Sequence, residues 1–188
     1  AKSGGEETLK TWVNTFLAET WEEEGERLDP TGLLARCEDY NIDELPKGVL
    51  YLTIAADVQK DRIEAEVVGW GENDETWGIQ HLRFLGDTEK DDVYEQYRNA
   101  IVKQYNHPLY GQMRPVRAAI DAGWRTERVL KWCRANRDLN VMPVMGASNK
   151  LRQPVMQPGK TGRAWNVCTF TFKLQIHSRL GIKETGPR

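Results

Sequence analysis

Two aspartates close two of the most strand-like stretches of this 188-residue chain. Asp57 ends Leu52-Thr53-Ile54-Ala55-Ala56-Asp57, and Asp121 ends Ala118-Ala119-Ile120-Asp121 before Ala122-Gly123. A carboxylate at the end of a buried strand is costly unless it is paired or bound to a cation. Two adjacent carboxylates repel, and a divalent cation relieves the repulsion. Oxygen donors alone select Mg2+ or Mn2+ over zinc. Such a pair can hold two cations about 4 Å apart, one activating water and one stabilising a leaving oxygen. Taken singly, each aspartate reads more simply as a turn residue. The metal reading rests on both standing at matching strand ends.

Asp61 lies in the turn after Asp57, where it stabilises the turn or adds a third metal ligand. Glu64 and Glu66 alternate with apolar positions and read as a solvated sheet face. Arg125, Arg128, Lys131 and Arg134 recur every three residues, as on a solvated helix face. Of these, Arg125 stands nearest Asp121 and is a candidate DNA contact. Lys150, Arg152, Lys160 and Arg163 lie in a Gly/Pro-bearing stretch whose adaptable backbone suits phosphate contacts, which give affinity without sequence choice. His81, His107 and His177 do not cluster. Trp12, Trp70 and Trp77 are expected in the core. Cys37, Cys133 and Cys168 lack metal-site spacing and fit free thiols in a reducing cytoplasm.

The aspartates need a scaffold. Residues 8–22 place Leu9, Trp12, Val13, Phe16 and Leu17 on one helical face. Asp29-Pro30 starts a second helix that carries Leu33 and Leu34 inward and ends near Tyr40. Residues 41–47 read as a linker. Val49–Val58 reads as a strand buried on both faces. Arg62–Trp70 and Glu75–Leu85 follow as strands, giving an antiparallel meander. Lys90–Tyr105 is helical, Val116–Ile120 a strand, Thr126 a cap for a helix to Asn136, and Val141–Met145 a fifth strand. Trp165–Phe172 reads as a strand, with Leu174–Leu180 a short helix or its continuation. The order β-β-β-α-β-α-β predicts a ribonuclease-H-like α/β fold. Its mixed five-stranded sheet is flanked by helices, and its parallel first and fourth strands bring Asp57 and Asp121 together. The expected division is a helical linker over 1–46 and the α/β domain over 47–188.

Composition sets the class. Hydrophobic residues make up 39% and charged residues 29%, as in a soluble globular protein. No apolar run approaches the ~20 residues of a membrane span. The net charge of −2 hides an asymmetry: residues 1–100 carry −14 and residues 101–188 carry +12. That split points the second half toward an anionic partner such as nucleic acid, unless the halves neutralise each other.

Several stretches in order along the chain carry a resemblance. They are Leu9-Lys10-Thr11-Trp12-Val13-Asn14-Thr15-Phe16-Leu17 with Glu19-Thr20-Trp21, then Pro46-Lys47-Gly48-Val49-Leu50 and Asp57-Val58-Gln59-Lys60-Asp61-Arg62-Ile63-Glu64. Val68-Gly69-Trp70-Gly71, Ile120-Asp121-Ala122-Gly123, Gly146-Ala147-Ser148, Lys173 and Arg179-Leu180 follow. The chain resembles the large terminase subunits of lambda-type (GpA family) tailed phages. The resemblance implies an ATP-driven motor whose C-terminal endonuclease cuts concatemeric DNA in the host cytoplasm, with double-stranded DNA, an ATPase domain, a small subunit and a portal as partners. It also implies that Asp57 and Asp121 match two of the family's nuclease acids, with Asp57 bridging both cations and Asp121 holding one.

Three departures stand beside it. Gly159-Lys160-Thr161 mimics the end of a P-loop, but the upstream glycine is replaced by Pro154, so no ATP site is expected. Cys168 and Phe170 stand where the family has a small residue and an aspartate. The family's last acid lies beyond Arg188. The chain therefore reads as a piece lacking its motor half and its last acid, weak or inactive by itself. Two other classes fit the residues: a non-catalytic module binding DNA or the portal, and another ribonuclease-H-like enzyme of the resolvase or transposase type.

Overall fold

Alternation governs residues 51–85. Strand β1 (Tyr51–Val58) pairs antiparallel with β2 (Arg62–Trp70), and β2 pairs antiparallel with β3 (Thr76–Leu85). The computed structural model describes residues 30–35, 37–40, 42–147, 153–158 and 163–180. Two units are distinguished, 1–37 and 38–188. In the first, helix α1 (Pro30–Leu34) is five residues long and leaves Leu34 72% exposed. This corrects the longer helix with Leu34 turned inward; Gly32, a weak helix former, sits in its middle. The helix expected over 8–22 lies outside the described residues.

In the second unit the meander is followed by α2 (Asp92–Val102), a small hairpin of β4 (Tyr105–His107) and β5 (Gly111–Met113), then β6 (Pro115–Asp121) and α3 (Thr126–Ala135). Next come β7 (Val141–Ala147), β8 (Val155–Met156), β9 (Trp165–Cys168) and α4 (Thr169–Leu180). The main sheet has seven strands in the order β3-β2-β1-β6-β7-β9-β8, not the five expected. The additions are β9, parallel to β7, and β8, antiparallel to β9. The strand expected over 165–172 stops at Cys168, whose partner on β7 is Ala147. Beyond that edge the backbone satisfies its own polar groups as α4, as buried or unpaired peptide groups must.

Strand β1 is not buried on both faces. Leu52, Ile54, Ala56 and Val58 are buried, whereas Tyr51, Ala55 and Asp57 are exposed. The buried side packs with Ile63, Ala65 and Val67 of β2 and Ala118 and Ile120 of β6. Helix α2 covers it with Val93, Tyr94, Tyr97 and Ile101, and α3 contributes Val129, Trp132 and Cys133. Trp132 lies between Tyr94 and Tyr97, each ring centroid 5.7 Å away. Leu45 and Val49 are buried in the same core. The apolar run of β1 thus serves one face, and its small residues keep the other face open for the acids.

Trp77 is in the core, but Trp70 is not. It stacks on Tyr51 and donates its indole N–H to Thr53 Oγ1 at 2.8 Å, a polar contact that suits the open face. Thr126 is the first residue of α3 rather than its cap. Its hydroxyl donates to the Ala122 carbonyl at 2.7 Å, and Arg125 before it has a left-handed backbone (φ 55°). No described helix is long and apolar enough to cross a membrane.

Candidate functional site

Strands β1 and β6 run parallel, with Ala55 beside Ala119 and Ala56 beside Ile120. Asp57 and Asp121 come next, one on each strand. Neighbouring strands lie about 4.8 Å apart, so laterally paired residues share a face. That face is the open one, since Ala56 and Ile120, one residue earlier, are both buried.

Each aspartate is fixed locally. Asp57 accepts a hydrogen bond from Gln59 Nε2 at 2.9 Å. The turn beyond it is pinned from below: Gly86 N–H donates to the Asp61 carbonyl, and the buried Thr88 hydroxyl donates to the Gln59 carbonyl at 2.7 Å. Asp121 Oδ1 accepts the Gly123 N–H at 3.2 Å, while Ala122 N–H donates to Val144 of β7. Burial pushes the Asp121 carboxyl above the usual range, and the charge of Asp57 adds to this against the opposing Gly123 hydrogen bond. Asp121 therefore senses the charge of Asp57.

The sequence reading missed the third member of the row. Glu64 is the register partner of Asp57, and Arg83 is the partner of Glu64. The signal was available, because the three-residue turn 59–61 sets Val58 opposite Ile63 and hence Asp57 opposite Glu64. Glu64 is held by Arg62 Nε at 2.6 Å and Arg83 Nε at 3.1 Å. The Arg62 hydrogen bond, with Arg83 adding its charge, lowers the Glu64 carboxyl below its usual range.

Asp61 does not join the row. It is 72% exposed in the turn and pairs with Arg62 at 2.9 Å. Among the described residues, no group of three His, Cys, Asp or Glu side chains is arranged to hold a metal ion. Arg125 pairs with Glu89 and lies over the Trp124 ring, 5.3 Å from its centroid. Arg128 pairs with Asp91, and Arg163 with Glu127 at 2.7 Å. Lys150, Arg152, Lys160 and the Gly159–Thr161 stretch lie outside the described residues. The three cysteines are free thiols.

The model of the family described as "Terminase large subunit gpA, endonuclease domain" matches residues 1–188. The chain belongs to this family. It is 32% identical over 183 residues to the terminase large subunit of Escherichia phage lambda, covering 94% of this chain and 28% of that protein. It is 34% identical over 184 residues to the terminase large subunit of Enterobacteria phage P21, again covering 94% and 28%. The chain thus spans under a third of the length of these relatives. No solved structure matches it significantly. Within this terminase endonuclease family, two of the stretches that carried the resemblance now have a packing role. A Cβ at Gly71 would come within 2.7 Å of the Gly48 carbonyl and the Trp77 ring, and one at Gly69 within 2.8 Å of Val49. The Pro46–Leu50 and Val68–Gly71 stretches therefore pack on each other. Another matched residue, Arg179, reaches Asp74 at 3.4 Å in the β2–β3 turn.

Proposed function

We propose that this terminase endonuclease domain is a metal-dependent nuclease that hydrolyses phosphodiesters of double-stranded DNA, cutting concatemers during genome packaging. The carrying observation is the lateral placement of Asp57 and Asp121 at the C-terminal ends of parallel β1 and β6, on one open face. A ribonuclease-H-like fold is part of the reading, supported by the meander β1–β3 with β6 and β7 added in parallel beside β1. So is the division into a helical linker over 1–46 and the nuclease over 47–188.

The residues fit a hard divalent cation. Both donors are carboxylate oxygens, and Asp121, whose proton affinity is raised first by burial and then by the charge of Asp57, would be relieved by a bound cation. Mg2+ or Mn2+, when bound, would supply water activation and charge neutralisation at the scissile phosphate. Asp57, the more exposed acid, would face both the cation and the substrate. Asp121 would hold the cation from the partly buried side, with Gly123 N–H orienting one of its oxygens. Asp61, already engaged by Arg62, would enter only by leaving that pair. Arg125 and Arg163, together with Lys150, Arg152 and Lys160, would contact phosphates. The ATPase part, small subunit and portal of the packaging motor, in the host cytoplasm, complete the proposed setting.

The experiment is plasmid cleavage by this chain in Mn2+ or Mg2+. Cleavage that disappears with chelator and in Asp57→Ala is the expected result. Cleavage unchanged by Asp57→Ala, or, where cleavage is too slow to see, Mn2+ binding unchanged by it, overturns the reading.

A further inference from the structure

On the helix-covered side of the sheet lies a cleft of about 250 Å³, of whose lining the nuclease reading uses only Arg163. Its floor is apolar: Leu130 and Cys133 of α3 with Val141 and Pro143 of β7. Its rim is cationic, formed by Arg134, Arg137 and Arg163. Val141 pairs with Ala118 and Pro143 with Ile120, and both partners point into the core. Asp57 and Asp121 point to the opposite face, so the cleft is not part of the acid site.

The cleft exists because β9 begins pairing only at Val144. Among the described residues, 141–143 therefore have β6 on one side and no strand of the sheet on the other. Pro143 is tolerated there, since it has no N–H to offer a further strand. The same missing donor argues against an occupant that adds as a β-strand and favours one held by its side chains. Arg163 shares its charge with Glu127. Arg134 and Arg137 are exposed and make no ion pair among the described residues. Two uncompensated guanidiniums thus stand over an apolar floor. Burial pushes the Cys133 thiol up to about 12, so it acts there as a small apolar group and not as a nucleophile.

We infer that this cleft docks an acidic segment of a partner protein, with one apolar side chain on the Leu130–Pro143 floor and carboxylates on Arg134 and Arg137. Duplex DNA offers phosphates but keeps its bases stacked inside, leaving the floor unfilled. An acidic segment with an apolar anchor satisfies both halves, and bidentate arginine–carboxylate pairing fixes its orientation. The inference stands independently of whether the acid pair cuts DNA.

The test is fluorescence anisotropy with the full chain and a labelled synthetic peptide of glutamates around one central leucine. An all-glutamate peptide of equal charge and a labelled DNA duplex serve as comparisons. The leucine peptide is expected to bind roughly ten-fold or more tightly than the all-glutamate one, because burying a Leu side chain is worth about 1.5 kcal/mol or more. Arg134→Glu with Arg137→Glu should weaken it by roughly ten-fold or more, as loss of a complementary charge pair does. Lys131→Glu, a single charge reversal on the helix that carries Arg134, should leave it within about two-fold, as expected of a rim charge. Equal binding of the two peptides overturns the inference, as does equal loss in Lys131→Glu or no peptide binding at all. Loss of duplex binding alone in the double variant would make the cleft a DNA surface, and overturns it too.

Discussion

Glu64 faces Asp57 as its register partner across β1 and β2, yet its carboxylate is turned to Arg62 and Arg83. The side chain nearest the acid pair in the row is therefore a counter-ion to two guanidiniums. Removing that anion frees Arg83 to take a phosphate and leaves Arg62 with Asp61 alone. Glu64→Gln is expected to raise the affinity of the chain for a DNA duplex at low salt. The log–log salt slope should steepen by about 0.9 for each new phosphate contact. Electrophoretic mobility shifts over a salt series measure both. Unchanged affinity and slope would show that the arginines stay elsewhere; loss of Mn2+ binding would make Glu64 a ligand instead.

Asp121 gives a pH-dependent prediction. Its folded pKa lies above the usual value, first through burial and then through the charge of Asp57. The folded state thus holds the proton more tightly than the unfolded state. This group's stabilisation is full below the unfolded carboxylate pKa of about 3.9 and is lost as pH rises through the folded pKa. At neutral pH the charged Asp121 weakens the fold. Without added metal, Asp121→Asn should raise the melting temperature at pH 7 by roughly 1–4 °C, with a smaller gain near pH 4. Equal shifts at both pH values, or none at pH 7, contradict it.

Tyr97 links the helix layer to the acid-bearing strand. Its side chain is buried, and its hydroxyl donates to the Ala119 carbonyl at 2.7 Å, two residues before Asp121. Tyr97→Phe keeps the ring and removes one hydrogen bond, at a cost of about 0.5–1.5 kcal/mol. Chemical denaturation should show that loss with an unchanged m-value. Stability equal to the unmodified chain would mean the carbonyl finds another partner.

Gly71→Ala separates packing from chemistry. The added methyl meets the Gly48 carbonyl and Trp77 at 2.7 Å, so something must shift. Overpacking of this kind costs about 1–3 kcal/mol. The expected result is a lower denaturation midpoint with unaltered Mn2+ affinity. A loss of metal affinity without a loss of stability would give the glycine motif a role in the site.

The sequence was informative wherever periodicity is long. The meander, α2, β6 and α3 are legible because each buries a repeating face, and β7 as a short apolar run, and the strand order follows from them. The short elements were not legible. Two-residue β8 has no period, and the β4–β5 hairpin turns on a side chain, with His107 Nδ1 accepting the Leu109 and Tyr110 N–H groups. The run after Trp165 is β-prone throughout, so nothing in its residue types marks the change from strand to helix at Thr169. Asp57 and Asp121 were legible as strand ends. That Glu64 belongs to Arg62 and Arg83 was not, because Arg83 comes from another strand.

The central claim is that Asp57 and Asp121 act as one divalent-metal unit. Isothermal titration of Mn2+ into the chain, into Asp57→Asn, into Asp121→Asn and into the double variant tests it most directly. Each single substitution should weaken binding by roughly ten-fold or more, and the double variant should lose little beyond the worse single, as residues sharing one site do. Mn2+ affinity that survives Asp57→Asn, or losses that simply add, would contradict it.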